Sequence, residues 1–98
     1  MESLFVYGNL MEPNIQTAIF GRAAEWTHDV LFDYTKETVT NGRAAYTTIV
    51  PKRGFSVCGR IIYVTPEEME IVQNKWGAYY RKAKLRLNSG KEAWVYVK

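Results

Sequence analysis

The chain holds one cysteine and one histidine among 98 residues. A single thiol closes no intrachain disulfide, and one thiol with one imidazole cannot build a Cys/His zinc site, so no metal is expected. Its three prolines and seven glycines are scattered. No Pro/Gly-rich linker divides it, no internal repeat is visible, and neither a Walker loop nor a dinucleotide fingerprint occurs, so no cofactor is expected either. Apolar runs stop after a handful of residues, too short for a bilayer-spanning helix. Met1-Glu2-Ser3 offers an acid where a secretory signal has a basic n-region. Excess charge is also scarce: 13 basic against 10 acidic residues give +3, which permits an anionic partner without calling for one. These absences describe one small, reduced, cytoplasmic domain over residues 1–98.

What is present suffices for a core. At 47 % hydrophobic and 14 % aromatic, a chain this long buries ~60–70 % of its unfolded surface, and a disordered or fibrous reading is excluded. Ser3–Tyr7 is a short apolar run stopped by Gly8, expected as a buried first strand. Pro13 suits a helix start, with Ile15, Ala18 and Ile19 on one face and Gly21 as the stop. Two strands are expected within Trp26–Tyr34 and Ala44–Val50 about an Asn41-Gly42 turn. A second turn at Pro51–Gly54 leads to another strand at Ser56–Val64, with Gly59 inside it. Thr65-Pro66-Glu67-Glu68 is a capping box, opening a helix whose stripe is Met69, Val72 and Trp76 and which Gly77 ends. Lys82, Lys84 and Arg86 alternate with Ala83, Leu85 and Leu87. After the turn Asn88-Ser89-Gly90, Ala93, Val95 and Val97 alternate with Trp94 and Tyr96, so a closing hairpin is expected. The fold class is α+β: a small mixed β-barrel or strongly curled sheet of about six strands with two short helices.

No nucleophile-plus-base pairing stands out. His28 reads as a surface or hydrogen-bonded imidazole, and Cys58, between Val57 and Gly59, as a small buried thiol. The informative stretch is Phe5-Val6-Tyr7-Gly8-Asn9-Leu10-Met11. A strand ending in Gly and running through a short loop to a helix exposes consecutive backbone N–H groups, which can hold a carboxylate or carbonyl oxygen.

Tyr7-Gly8-Asn9-Leu10 resembles the opening Tyr-Gly-Ser/Thr-Leu motif of the gamma-glutamylcyclotransferase-like family. Val57-Cys58-Gly59-Arg60-Ile61-Ile62-Tyr63 is similar to that family's Val-x-Gly-x-hydrophobic-Tyr strand. Thr65-Pro66-Glu67-Glu68 is similar to its helix start, Gly77-Ala78-Tyr79-Tyr80-Arg81 to its Gly-x-x-Tyr-x-Arg segment, and Ala93-Trp94-Val95-Tyr96-Val97 to its terminal strand. The resemblance implies a small barrel with a pocket at the end of the first strand, a gamma-glutamyl-type ligand, and Tyr7, Gly8, Asn9, Leu10, Tyr79 and Tyr96 as substrate-binding residues. It also implies a reaction: the substrate's own amine attacks its gamma-carbonyl, a glutamate moves the proton, and 5-oxoproline leaves. The chain departs from this pattern where it matters. Where the family's helix ends in a catalytic glutamate, Gln73-Asn74-Lys75-Trp76-Gly77 places Trp76, and an indole accepts no proton. Glu67, Glu68 and Glu70 lie six to nine residues earlier, about two turns back, with Glu68 expected in the capping box. The resemblance therefore implies a degenerate or altered active site whose catalytic residue is unknown. The competing expectation is a nucleic-acid-binding or protein-interaction barrel using the basic face Lys82, Lys84 and Arg86, helped by Arg43, Lys52 and Arg53, with nucleic acid the weaker partner because +3 is a small charge.

Overall fold

The computed structural model of the chain describes residues 1–42, 44–77 and 80–97. In chain order they form β1 (Glu2–Val6), a 3-10 turn (Asn9–Met11), α1 (Pro13–Phe20), β2 (Trp26–Asn41), β3 (Ala44–Val64), α2 (Pro66–Trp76), β4 (Arg81–Arg86) and β5 (Glu92–Val97). The strands make one mixed sheet in the order β2-β3-β1-β5-β4. β1 lies at its centre, antiparallel to β3 and parallel to β5. Buried on both faces, it reads as a continuous apolar run, as central strands do.

Among the described residues the sheet has five strands, not six, and it is open rather than a closed barrel. The expected break at Pro51–Gly54 is a corner within β3. Pairing with β2 jumps from Phe32↔Ser56 to Tyr34↔Pro51, so residues 52–55 bulge opposite Asp33 alone. Asp33 and Gly54 take positive φ values of 66° and 86°, and the Gly54 N–H donates to Asp33 Oδ1 at 3.1 Å. Turn-forming residues here bend a continuous hairpin, as bulges do, instead of reversing the chain. The bend brings Ile49 of the outer arm into the same cluster as Phe5, Leu31, Ile61 and Val95.

The other sheet face, with Leu4, Val6, Ile62 and Val64, is covered by Met69 and Val72 of α2 and by Ile19 and Phe20 of α1. At its start, α2 follows the expectation: Thr65 Oγ1 accepts from the Glu68 N–H while Glu68 Oε1 accepts from the Thr65 N–H. α1 does not. Ile15 and Ala18 are exposed, and its buried residue is Gln16. The reason is polar: the Gln16 carboxamide donates to Leu10 O and accepts from the Ala24 N–H, both at 2.8 Å, tying together the segments on either side of the helix.

The two sheet edges are linked. The Asn88 N–H, in the β4–β5 turn, donates to Val30 O at 2.9 Å. Buried Asp29 accepts from the Ser89 N–H and from its hydroxyl, at 3.2 and 2.5 Å. Gly59 sits where β3 crosses β1; a Cβ there would stand 2.7 Å from Phe5 Cζ, so the glycine inside the strand is a packing requirement. No described helix is long and apolar enough to cross a membrane.

Candidate functional site

Where β1 ends, the chain turns through Gly8 into the 3-10 turn, and a cavity of about 200 Å³ opens beside it. Tyr7, Gly8, Asn9 and Leu10 line one side, Ala45 and Thr47 of β3 another, and Trp76, Tyr80 and Tyr96 the rest. The structure thus brings five of the six expected binding residues to one place. Tyr79, with Ala78, lies outside the described residues. Gly8 leaves room: a Cβ added there meets nothing within 4 Å, so its value to the loop is open space at the cavity rather than relief of a clash.

The loop is held by its own hydrogen bonds. Met11 N–H donates to Gly8 O and Glu12 N–H to Asn9 O, both at 3.0 Å, and Gln16 fixes Leu10 O. The tyrosines form a chain of donors. The Tyr7 hydroxyl donates to Tyr96 O, the Tyr96 hydroxyl to Gln73 Oε1 at 2.7 Å, and the Tyr80 hydroxyl to Thr47 O at 2.8 Å. Burial, reinforced by neighbouring Tyr80, pushes the Tyr7 phenol well above its ordinary range. Burial likewise raises Tyr96. Both are neutral donors at physiological pH, not bases.

Trp76 has two duties. It packs against the cluster of Leu4, Val6 and Val72 and also walls the cavity. The described lining residues include no Asp or Glu. Glu67 and Glu70 are exposed on α2 and away from the cavity. Glu68 is engaged: Arg22 Nη2 and Nε donate to it at 2.6 and 2.9 Å, and this guanidinium together with the capping N–H outweighs burial to hold its carboxyl below the usual range. Among the described residues, no group of three or more His, Cys, Asp or Glu side chains is placed to hold a metal ion.

On the basic face, Lys82 and Lys84 place their ammonium groups 4.6 and 5.3 Å from the Trp94 ring centroid. Lys52 lies over Phe55 at 4.4 Å, and Arg43 is outside the described residues. His28 is exposed opposite Arg60. Cys58 is exposed as well, against the expected burial, because strand alternation turns Val57 and Gly59 inward and Cys58 outward.

Sequence reasoning missed Gln16, Gln73 and Thr47. None belongs to a periodic pattern: Gln16 is a carboxamide on the buried side of α1, while Gln73 is exposed on α2 and reaches the Tyr96 hydroxyl from there.

Known proteins share this fold. A family model described as gamma-glutamyl cyclotransferase, AIG2-like, matches residues 4–98. Among curated proteins, none matches the chain. A protein of Arabidopsis thaliana with a known solution structure is 24 % identical and superimposes with a TM-score of 0.84, covering 98 % of this chain and 67 % of its own. A structure titled gamma-glutamyl cyclotransferase gives 16 % and 0.83, covering 98 % and 65 %. A Homo sapiens protein titled uncharacterized gives 19 % and 0.80, also covering 98 % and 65 %. At these identities the likeness is one of fold, and the chain spans about two thirds of the length of each.

Proposed function

The chain belongs to the AIG2-like gamma-glutamyl cyclotransferase family, and on that premise we propose that it binds a gamma-glutamyl-type amide beside Gly8–Leu10 without the proton-transfer group needed to cyclise it. The observation that carries this reading is the cavity at the end of β1, with the Tyr7–Leu10 loop on one side, Trp76 on its wall and no carboxylate among its described lining residues. Cyclisation needs a group that takes the proton from the attacking amine and returns one to the leaving amine. Losing such a group typically removes ~10²–10⁴-fold of rate. The tyrosines do not replace it, because their protons are engaged by protein acceptors and burial holds them neutral. Binding without turnover is the chemistry these residues support. An exposed, unpaired Cys58 suits a reducing compartment such as the cytoplasm.

The test is an assay of 5-oxoproline release from gamma-glutamyl dipeptides and gamma-glutamylamines, run beside a binding titration with a gamma-glutamyl amide. Binding with turnover near the uncatalysed rate is expected. Robust turnover that survives Trp76→Phe and disappears in Glu67→Gln, Glu68→Gln or Glu70→Gln would move the catalytic acid to the start of α2 and refute the proposal. Trp76→Glu is less decisive: removing a packed aromatic costs ~3–5 kcal/mol, and a carboxylate there adds desolvation.

A further inference from the structure

Most polar groups that line the cavity are already engaged within the protein. The Tyr7, Tyr80 and Tyr96 hydroxyls donate to Tyr96 O, Thr47 O and Gln73 Oε1 respectively. The Gly8 and Asn9 carbonyls accept from backbone N–H groups, and the Leu10 carbonyl from Gln16. The Asn9 carboxamide, the Thr47 hydroxyl and the Trp76 indole also line the cavity, and none of them hydrogen-bonds to a described residue. These groups are not equivalent. An indole only donates, and a hydroxyl puts donor and acceptor on a single atom, whereas a carboxamide sets an N–H and a C=O side by side in one plane. Among the described lining residues, only Asn9 carries such a fork. Asparagine side chains in turns often bond to nearby backbone. Here the turn closes through the Asn9 carbonyl, which accepts from the Glu12 N–H, and the side chain stays available.

Resting on the reading that an amide binds here, we infer that Asn9 makes the cavity selective for a primary gamma-carboxamide, as in glutamine, over N-substituted amides of the same gamma-glutamyl group. A primary amide has an N–H on the same side as its carbonyl oxygen. It therefore meets the Asn9 carboxamide edge to edge, with one hydrogen bond running in each direction. In a secondary amide the N-substituent holds that position. The trans form points its N–H and C=O opposite ways, and the cis form that would restore the edge is costly. A secondary amide thus makes one bond to Asn9 where a primary amide makes a pair. Thr47 and Trp76 offer one atom each, so they treat both amides alike and add affinity without this preference. The ligand's α-ammonium and α-carboxylate are common to both and cancel from the comparison. An N-substituent gains some apolar contact with the aromatic wall in return, which keeps the preference within the contribution of one hydrogen bond.

The experiment is an NMR titration of the whole chain with a matched pair, L-glutamine and gamma-glutamylmethylamide, repeated on Asn9→Ala and Asn9→Ser. Asn9 is exposed, so neither substitution disturbs the core. In the parent, L-glutamine is expected to bind roughly three- to tenfold more tightly, as one further hydrogen bond allows, and to shift the Asn9 side-chain NH2 resonances more than the methylamide does. In both variants the two ligands should bind equally, because a methyl group makes no hydrogen bond and a serine hydroxyl offers only one atom. Equal binding in the parent, or a preference for L-glutamine that persists in Asn9→Ala, overturns the inference while leaving amide binding intact. If neither compound perturbs residues 7–10 of the parent, the inference and the amide-binding reading both fail.

Discussion

Replacing Gln16 by Leu keeps the side-chain volume and deletes two hydrogen bonds at once. Gln16 is 2 % exposed. Its carboxamide joins Leu10 O, in the cavity loop, to the Ala24 N–H just before β2, and Leu10 and Ala24 are themselves buried. Water therefore does not readily replace the lost partners. Each orphaned buried group costs about 1–3 kcal/mol, so the variant loses roughly 2–6 kcal/mol of a total that is ~5–15 kcal/mol for a domain. At ~4–8 °C per kcal/mol for a chain this size, the melting temperature falls by at least about 8 °C. Gln16→Glu refines the test. It still accepts from the Ala24 N–H but sets a carboxylate oxygen against Leu10 O. Acidification restores a donor, so its deficit narrows as pH falls, which the leucine variant cannot do. Thermal and urea unfolding at several pH values, with amide exchange at Ala24, measure both effects. A leucine variant melting within about 2 °C of the parent, well under one orphaned group's worth, would show that the carboxamide does not hold the loop.

Gly8→Ala should melt with the parent, since its Cβ meets nothing within 4 Å, yet weaken amide binding by intruding on the cavity. Equal loss of stability and affinity, read by melting and titration together, would contradict this. Acid should loosen the link between β2 and the β4–β5 turn. Burial pulls the Asp29 carboxyl upward, but the Ser89 hydroxyl, the Val30 and Ser89 N–H groups and Lys91 outweigh it, so it titrates below its ordinary 3.8. A depressed carboxylate contributes stability in full above that ordinary value and loses it as pH falls through the folded one. Unfolding free energy should therefore drop below about pH 4, and Asp29→Asn, less stable at neutral pH, should flatten that slope; an unchanged slope would relieve Asp29 of this role.

Strands and helix starts were legible because they depend on local patterns. Period-two alternation about Asn88-Ser89-Gly90 located the hairpin in which Leu85 faces Ala93, and Thr65-Pro66-Glu67-Glu68 located α2 with its capping box. Two misreadings share a cause in tertiary context. The Pro51–Gly54 residues are turn formers, but whether they reverse a chain or bend one depends on a partner strand, and β2 stays paired on both sides of them. On α1, apolar Ile15 and Ala18 suggested the buried face, whereas the core lies on the side where Gln16 meets the Leu10 carbonyl and the Ala24 N–H. Site residues in the Tyr7–Leu10 loop were legible as a contiguous motif. Thr47 and Gln73 were not, because they reach the site only through the bent hairpin and the end of α2.

The parallel pairing of β1 with β5 sets an order of assembly. Leu4 lies beside Trp94 and Phe5 beside Val95, contacts that span nearly the whole sequence and close the longest loop the chain contains. Such pairings form late, because loop closure must precede any gain from them. β2 and β3 can meet as a hairpin and α2 can coil on its own caps, but β1 gains its second neighbour only when β5 docks. The same event delivers Tyr96, whose carbonyl accepts from the Tyr7 hydroxyl and whose own hydroxyl donates to Gln73 Oε1. Until β5 docks, the cavity lacks the wall that Tyr96 provides.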